Sequence, residues 1–93
     1  MYQVIFDPKC LTQLEEQYET LEQFDIAFAE TRYSLEKNPY AFKMSPQYPQ
    51  WIVIITRPFS SQQRVIPSLR MYGAINEDNG VVKIFQVTIN TDD

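Results

Sequence analysis

The chain has no histidine and a single cysteine, Cys10, among 93 residues. Without imidazole there are no His general bases, no Ser-His-Asp or Cys-His nucleophile systems and no zinc sites built on His. One thiol can neither close an intramolecular disulfide nor assemble a thiolate metal site, and a lone cysteine fits a reducing compartment. No metal and no cofactor is expected. Long hydrophobic runs are also missing. The longest, Trp51-Ile52-Val53-Ile54-Ile55, is strand-sized and far short of the roughly 20 apolar residues of a membrane span. Met1-Tyr2-Gln3-Val4-Ile5-Phe6-Asp7 lacks the basic stretch and apolar core of a secretory signal. The default expectation is a cytoplasmic protein with no membrane partner.

Carboxylates are absent from one long stretch. Between Asn38 and Asn76 there is no Asp or Glu, while Lys43, Arg57, Arg64 and Arg70 all lie there. The net charge of −4 by itself speaks against nucleic acid, because phosphate binding rests on Lys and Arg. The distribution reverses that reading. Residues 1–42 carry three cations against eight carboxylates, a balance of −5, and residues 43–93 carry five against four, a balance of +1. A surface can be locally positive on a chain that is acidic overall.

What remains is ordinary globular composition, 44% hydrophobic and 22% charged, enough for one domain over residues 1–93. A domain of this size buries only about 60–65% of its unfolded surface, so each large apolar side chain counts. Six Tyr, six Phe and one Trp can supply most of the core, Trp51 above all.

Tyr2 to Phe6 reads as a strand. Asp7-Pro8 supplies an N-cap and a first helical residue. Leu11, Leu14, Tyr18 and Leu21 then form one apolar stripe, with Glu15, Glu16 and Glu19 on the solvated side. Thr20-Leu21-Glu22-Gln23 fits a capping box. A second stripe follows in Phe24, Ala27, Phe28, Thr31 and Leu35, ended by Asn38-Pro39. This predicts two antiparallel helices, over 8–18 and 21–37, or one bent helix. Residues 38–50 are an ordered loop with aromatic anchors. The β-branched run Trp51 to Thr56 predicts a central strand buried on both faces. Pro58 ends it, Ser60-Ser61-Gln62-Gln63 is a turn, and Arg64-Val65-Ile66 extends the returning strand until Pro67 interrupts it. From Leu69 to Ile75 the pattern alternates, with Arg70, Tyr72 and Ala74 opposite Leu69, Met71, Gly73 and Ile75. Asn79-Gly80 marks a hairpin into a last strand, Val81 to Ile89, and Thr91-Asp92-Asp93 is a frayed tail. The order β-α-α-β-β-β is an α+β domain with a helical hairpin packed on a small antiparallel sheet.

This order resembles the toxin superfamily typified by RelE and ParE. The resemblance rests on Val4-Ile5-Phe6 running into a helix, Leu35-Glu36-Lys37-Asn38-Pro39 closing the second helix, Trp51 to Arg57, Pro67-Ser68-Leu69-Arg70-Met71-Tyr72, and Asn76-Glu77-Asp78 through Val87. It implies the toxin component of a type II toxin–antitoxin system, held by a cognate antitoxin that wraps the sheet and helices. In members that cut ribosome-bound messenger RNA, basic side chains on the sheet orient the 2′-hydroxyl and stabilise the developing phosphorane charge. Arg70 matches the family's strand arginine and Arg57 a basic residue closing the preceding strand. The catalytic candidates are therefore Arg57, Arg64, Arg70 and Tyr72, for a metal-independent endoribonuclease. The RNA-binding candidates are Lys43, Arg57, Arg64 and Arg70. Three departures point to an alternative, a non-catalytic binding module, either a ParE-like gyrase binder or a relative that has lost its activity. Val53 and Ile55 stand where cleaving members place lysines, the segment from Arg57 to Leu69 is longer, and no counterpart of a further Arg and Tyr follows the last strand up to Asp93.

Each candidate also has a plainer reading. Arg70 fits a solvated position on the open sheet face, Arg64 a turn-flanking surface residue, and Arg57 a partner of the acidic helices. Cys10 lies in a first helical turn, where a thiol pKa can fall. With no base beside it, a small buried apolar residue is the simplest reading.

Overall fold

The computed structural model describes residues 1–18, 21–48, 50–61 and 64–90, without the side chains of residues 59–61 and 64. Strand β1 (Gln3–Phe6) leads directly into helix α1 (Pro8–Gln17). Asp7 is the N-cap: Lys9 N donates to its Oδ1 at 2.9 Å, and Pro8, which has no amide to satisfy, takes the first turn. The helix stops at Tyr18, whose backbone is extended and whose N–H donates to Leu14 O at 2.8 Å. Helix α2 (Leu21–Lys37) is therefore a separate helix rather than the continuation of a bent one. Thr20 of the expected capping box, Glu19, Gln62, Gln63 and the tail from Thr91 lie outside the described residues. Asn38 N donates to Ser34 O, and Pro39 opens a 3-10 turn, Pro39–Ala41, so α2 ends where proline forbids its extension.

The remaining strands are β2 (Lys43–Met44), β3 (Trp51–Ile55), β4 (Phe59–Ser61), β5 (Arg64–Ile66), β6 (Leu69–Asn76) and β7 (Val81–Ile89). Five of the described strands form one sheet in the order β1-β7-β6-β3-β2, and β4 pairs with β5 in a separate ribbon. β3, β6 and β7 make the expected antiparallel meander. The sheet as a whole is mixed, which corrects the expectation of an antiparallel one. The helical hairpin carries the chain across one face, so β1 lies parallel to β7, with Gln3 opposite Val81 and Phe6 opposite Ile84. Two other expectations are corrected. The loop over residues 38–50 contains β2, and Arg64-Val65-Ile66 pairs with β4 instead of extending β6.

Helices and sheet meet in one core. Leu14, Tyr18, Phe24, Phe28 and Leu35 of the two predicted stripes are buried, together with Cys10. Leu11, Leu21 and Thr31 are half-buried, and Ala27 is exposed. They pack on Val4, Ile52, Ile54, Leu69, Met71, Val82, Ile84 and Val87, and Ile66 ties the β4–β5 ribbon to the same cluster. Phe6 meets Phe24 and Phe28 edge-on, with ring centroids 5.5 and 5.6 Å apart, while Phe24 and Phe28 stack at 5.0 Å. Such pairs add to simple area burial. Gly73 faces this core, and a Cβ there would come within 3.0 Å of Ile84 Cδ1. The turn after β6 uses Gly80 at φ +63, a backbone state that L side chains adopt at a cost.

Trp51 is not in this core. β3 alternates, with Ile52 and Ile54 buried inward while Trp51, Val53 and Ile55 turn to the other side. That corrects both the core role of Trp51 and the expectation of a strand buried on both faces.

Candidate functional site on the open face of the sheet

The helices cover one side of the sheet, and Lys43, Arg70 and Tyr72 lie on the other. Cross-strand register arranges them in rows. Lys43 lies opposite Val53, Val53 opposite Tyr72, and Tyr72 opposite Gln86. Arg70 sits between Ile55 and Thr88 in the next row. Arg70 and Tyr72, two apart on one strand, therefore share a face, and Lys43 lies in the row of Tyr72. The expected alternation along β6 is observed: Leu69, Met71 and Gly73 are buried, and Arg70, Tyr72 and Ala74 are half-buried.

Arg70 is anchored at one end. Its Nη2 donates to Asn90 Oδ1 at 3.2 Å, Asn90 Nδ2 donates to Ser68 Oγ at 3.3 Å, and Ser68 Oγ donates to Thr56 O at 2.6 Å. Asn90 N also donates to Ser68 O at 2.9 Å. Arg70 Nε is buried and has no hydrogen-bond partner among the described residues. A buried donor left unpaired costs about 1–3 kcal/mol, and Nε, having no solvent access, is not a contact for an incoming ligand. Asn90 and Ser68 were not singled out from the sequence, because their link to Arg70 depends on the β6–β7 pairing.

Arg57 is placed differently. It is exposed and lines a pocket of about 360 Å³ at the C-terminal end of β3, with Phe28, Glu30, Thr31 and Ser34 of α2 and with Phe42. It shares that pocket with the helix, and neither Arg70 nor Tyr72 is part of it. Arg64 lies in β5, and its side chain is outside the described residues. Of the five candidates, the sheet gathers Lys43, Arg70 and Tyr72. The ion pair among the described residues is Arg32–Asp25 at 3.6 Å on α2, where the Arg32 guanidinium also lies 5.6 Å above the rings of Phe6 and Phe28. Neither Arg57 nor Arg70 is neutralised by a carboxylate among the described residues.

A β-bulge adds an aromatic cluster to the same face. Tyr72 pairs with Gln86 but Gly73 pairs with Ile84, so Phe85 is the extra residue in β7. The Phe85 ring meets Trp51 at 4.7 Å, and Tyr48 stacks on Trp51 at 4.1 Å. Lys83 lies opposite Ala74, which lies opposite Trp51. None of the strands carries a carboxylate, and Glu77 and Asp78 sit in the β6–β7 turn at one end of the face. There Tyr40 donates a hydrogen bond to Glu77, which raises its phenol pKa above the usual tyrosine range.

Cys10 is buried, and its thiol pKa is raised, first by burial and then by the Asp7 carboxylate, so the lowering considered for a helical first turn does not occur. Among the described residues no group of three or more Cys, Asp or Glu could hold a metal, and no helix is long and apolar enough to cross a membrane. No protein-family model matches the chain, and no curated protein or solved structure matches it either.

Proposed function

We propose that this chain is a toxin-like domain of the RelE/ParE type, paired with a cognate antitoxin, that meets RNA on the open face of its sheet. The observation that carries this reading is Arg70: a half-buried guanidinium on the face away from the helices, held by Asn90 and unpaired by any carboxylate among the described residues. Phosphate oxygens are the natural acceptors for such a group. In a cleaving mechanism the 2′-hydroxyl gives its proton to solvent water as its oxygen attacks phosphorus. The bond to the 5′-oxygen breaks with that oxygen taking up a proton, leaving a cyclic phosphate and a 5′-hydroxyl. Arg70 stabilises the charge gathering on the phosphoryl oxygens, and Tyr72 on the same face offers a hydroxyl to the leaving oxygen.

A second reading, a binding module without catalysis, is favoured by Val53 and Ile55, which put aliphatic surface on this face, and by Arg57, which lines the pocket beside α2. Induced expression separates the two. Cleavage predicts growth arrest with truncated messages, relieved by Arg70→Ala, and cut transcripts when the purified chain meets programmed ribosomes. Arrest with DNA damage and intact messages supports the binding module, cut transcripts from programmed ribosomes contradict it, and harmless expression of the native chain contradicts the cleaving toxin.

A further inference from the structure

Resting on the reading of this face as an RNA surface, we infer that Tyr48, Trp51 and Phe85 form a base-stacking subsite for unpaired nucleotides, with Lys43, Lys83 and Arg70 as its phosphate contacts. The three rings lie on the side of the sheet away from the helices. They contribute nothing to the buried core, and an aromatic cluster on an uncovered face calls for a partner. Two features build the cluster. The bulge turns both Phe85 and Gln86 outward, and Ala74, paired with Trp51, is too small to fill the space that Phe85 enters.

Tyr48 lies over Trp51 with its ring plane inclined by 28°, and it remains 45% exposed, so the stack offers solvent another aromatic surface. A base stacked on an aromatic ring next to a backbone-tracking cation is how single strands are held without sequence preference. The charge pattern gives the strand a direction. Lys83 lies between the two ends, opposite Ala74 beside the rings and also lining the depression near the β6–β7 turn with Glu77 and Asp78, while Arg70 lies toward the far end of the face. Phosphates are therefore led from the aromatic cluster toward Arg70 and away from that turn. A duplex keeps its base faces stacked inside, so the chemistry selects single strands.

The chain has one Trp, so its emission reports on this cluster directly. The test titrates the full chain with a short oligoadenylate, an abasic ribose-phosphate chain of equal length and a duplex of equal length. Affinity is read by Trp51 emission and by anisotropy of end-labelled probes. The expected result is an emission change with oligoadenylate and at least ten-fold weaker binding of the abasic chain and the duplex. Tyr48→Ala should weaken oligoadenylate about ten-fold, the size of one lost base stack, and leave the abasic chain unchanged, while Tyr48→Phe retains binding. Phe85→Leu provides a second test of the cluster, with circular dichroism to verify that both variants fold. If the abasic chain binds as tightly as oligoadenylate, and Arg70→Ala weakens both, the stacking subsite is overturned while the RNA surface stands. If no probe binds the native chain, the RNA surface falls and the subsite with it.

Discussion

Replacing Asn90 by alanine should loosen Arg70 at a measurable cost in stability. The side chain accepts from Arg70 Nη2 at 3.2 Å and donates to Ser68 Oγ at 3.3 Å, so Asn90→Ala removes two hydrogen bonds. Each contributes about 0.5–1.5 kcal/mol net, and their length and half-exposed setting place them near the lower end. The loss is then about 1–2 kcal/mol. For a domain of this size each kcal/mol lowers Tm by roughly 4–8 °C, giving a fall of about 5–15 °C. The informative quantity is the coupling with Arg70. In a double-mutant cycle with Arg70→Ala, urea unfolding should return an interaction energy of about 0.5–1 kcal/mol, because the second substitution finds its partner already gone. Equal m-values across the four chains establish that the unfolded states are comparable. A coupling below about 0.3 kcal/mol would mean that Asn90 does not hold the guanidinium, and the anchored cation on the open face would lose its physical basis.

Phe28→Ala should cost about 3–5 kcal/mol in a domain whose whole stability is about 5–14 kcal/mol, leaving the chain partly unfolded at 37 °C by calorimetry. Gly80→Ala forces a Cβ into a turn at φ +63 and should cost about 1 kcal/mol, with Gly80→Asn milder, both read by urea midpoints. Cys10 should resist thiol reagents in the native state and react on unfolding, at the rate of global opening. Because its folded pKa is raised, the neutral thiol's contribution is complete below the ordinary value of 9.0 and is lost as pH rises past it toward the folded value. Tm should therefore fall with pH in that window, and Cys10→Ala should flatten the slope. Tyr18, raised by burial above its ordinary 10.0, gives a later decline of the same sign.

The elements that could be read from the sequence are those whose signal is local. Asp7-Pro8, the two apolar stripes and Asn38-Pro39 fix the helices through capping, periodicity and proline geometry, and Asn79-Gly80 fixes the last hairpin. β2 is two residues long in a proline-rich loop, too short for any period to register. Each strand of the β4–β5 ribbon has three residues, and the proline-bounded segment around them carries no strand alternation. The parallel placement of β1 beside β7 joins residues some eighty positions apart, which no local pattern encodes. The outward side of Trp51 is hidden in the sequence for a related reason. In Trp51-Ile52-Val53-Ile54-Ile55 every residue is apolar, so composition hides the period of two that the pairing with β6 imposes. Arg70 was legible because polar and apolar residues alternate along β6. The supports from Asn90 and Ser68 and the outward turn of Phe85 depend on strand register and a bulge, which appear only once the sheet is assembled.

The central claim is that the sheet's uncovered side, and not the acidic helical side, is where the chain meets RNA. Hydroxyl-radical footprinting of side chains, with and without a saturating short single-stranded oligoribonucleotide, tests it most directly. Protection at Tyr48, Trp51 and Tyr72, with Ile26 and Tyr33 on the exposed side of α2 unchanged, is the predicted result. Protection confined to α2, with the three aromatic residues as reactive as in the free chain, would contradict it.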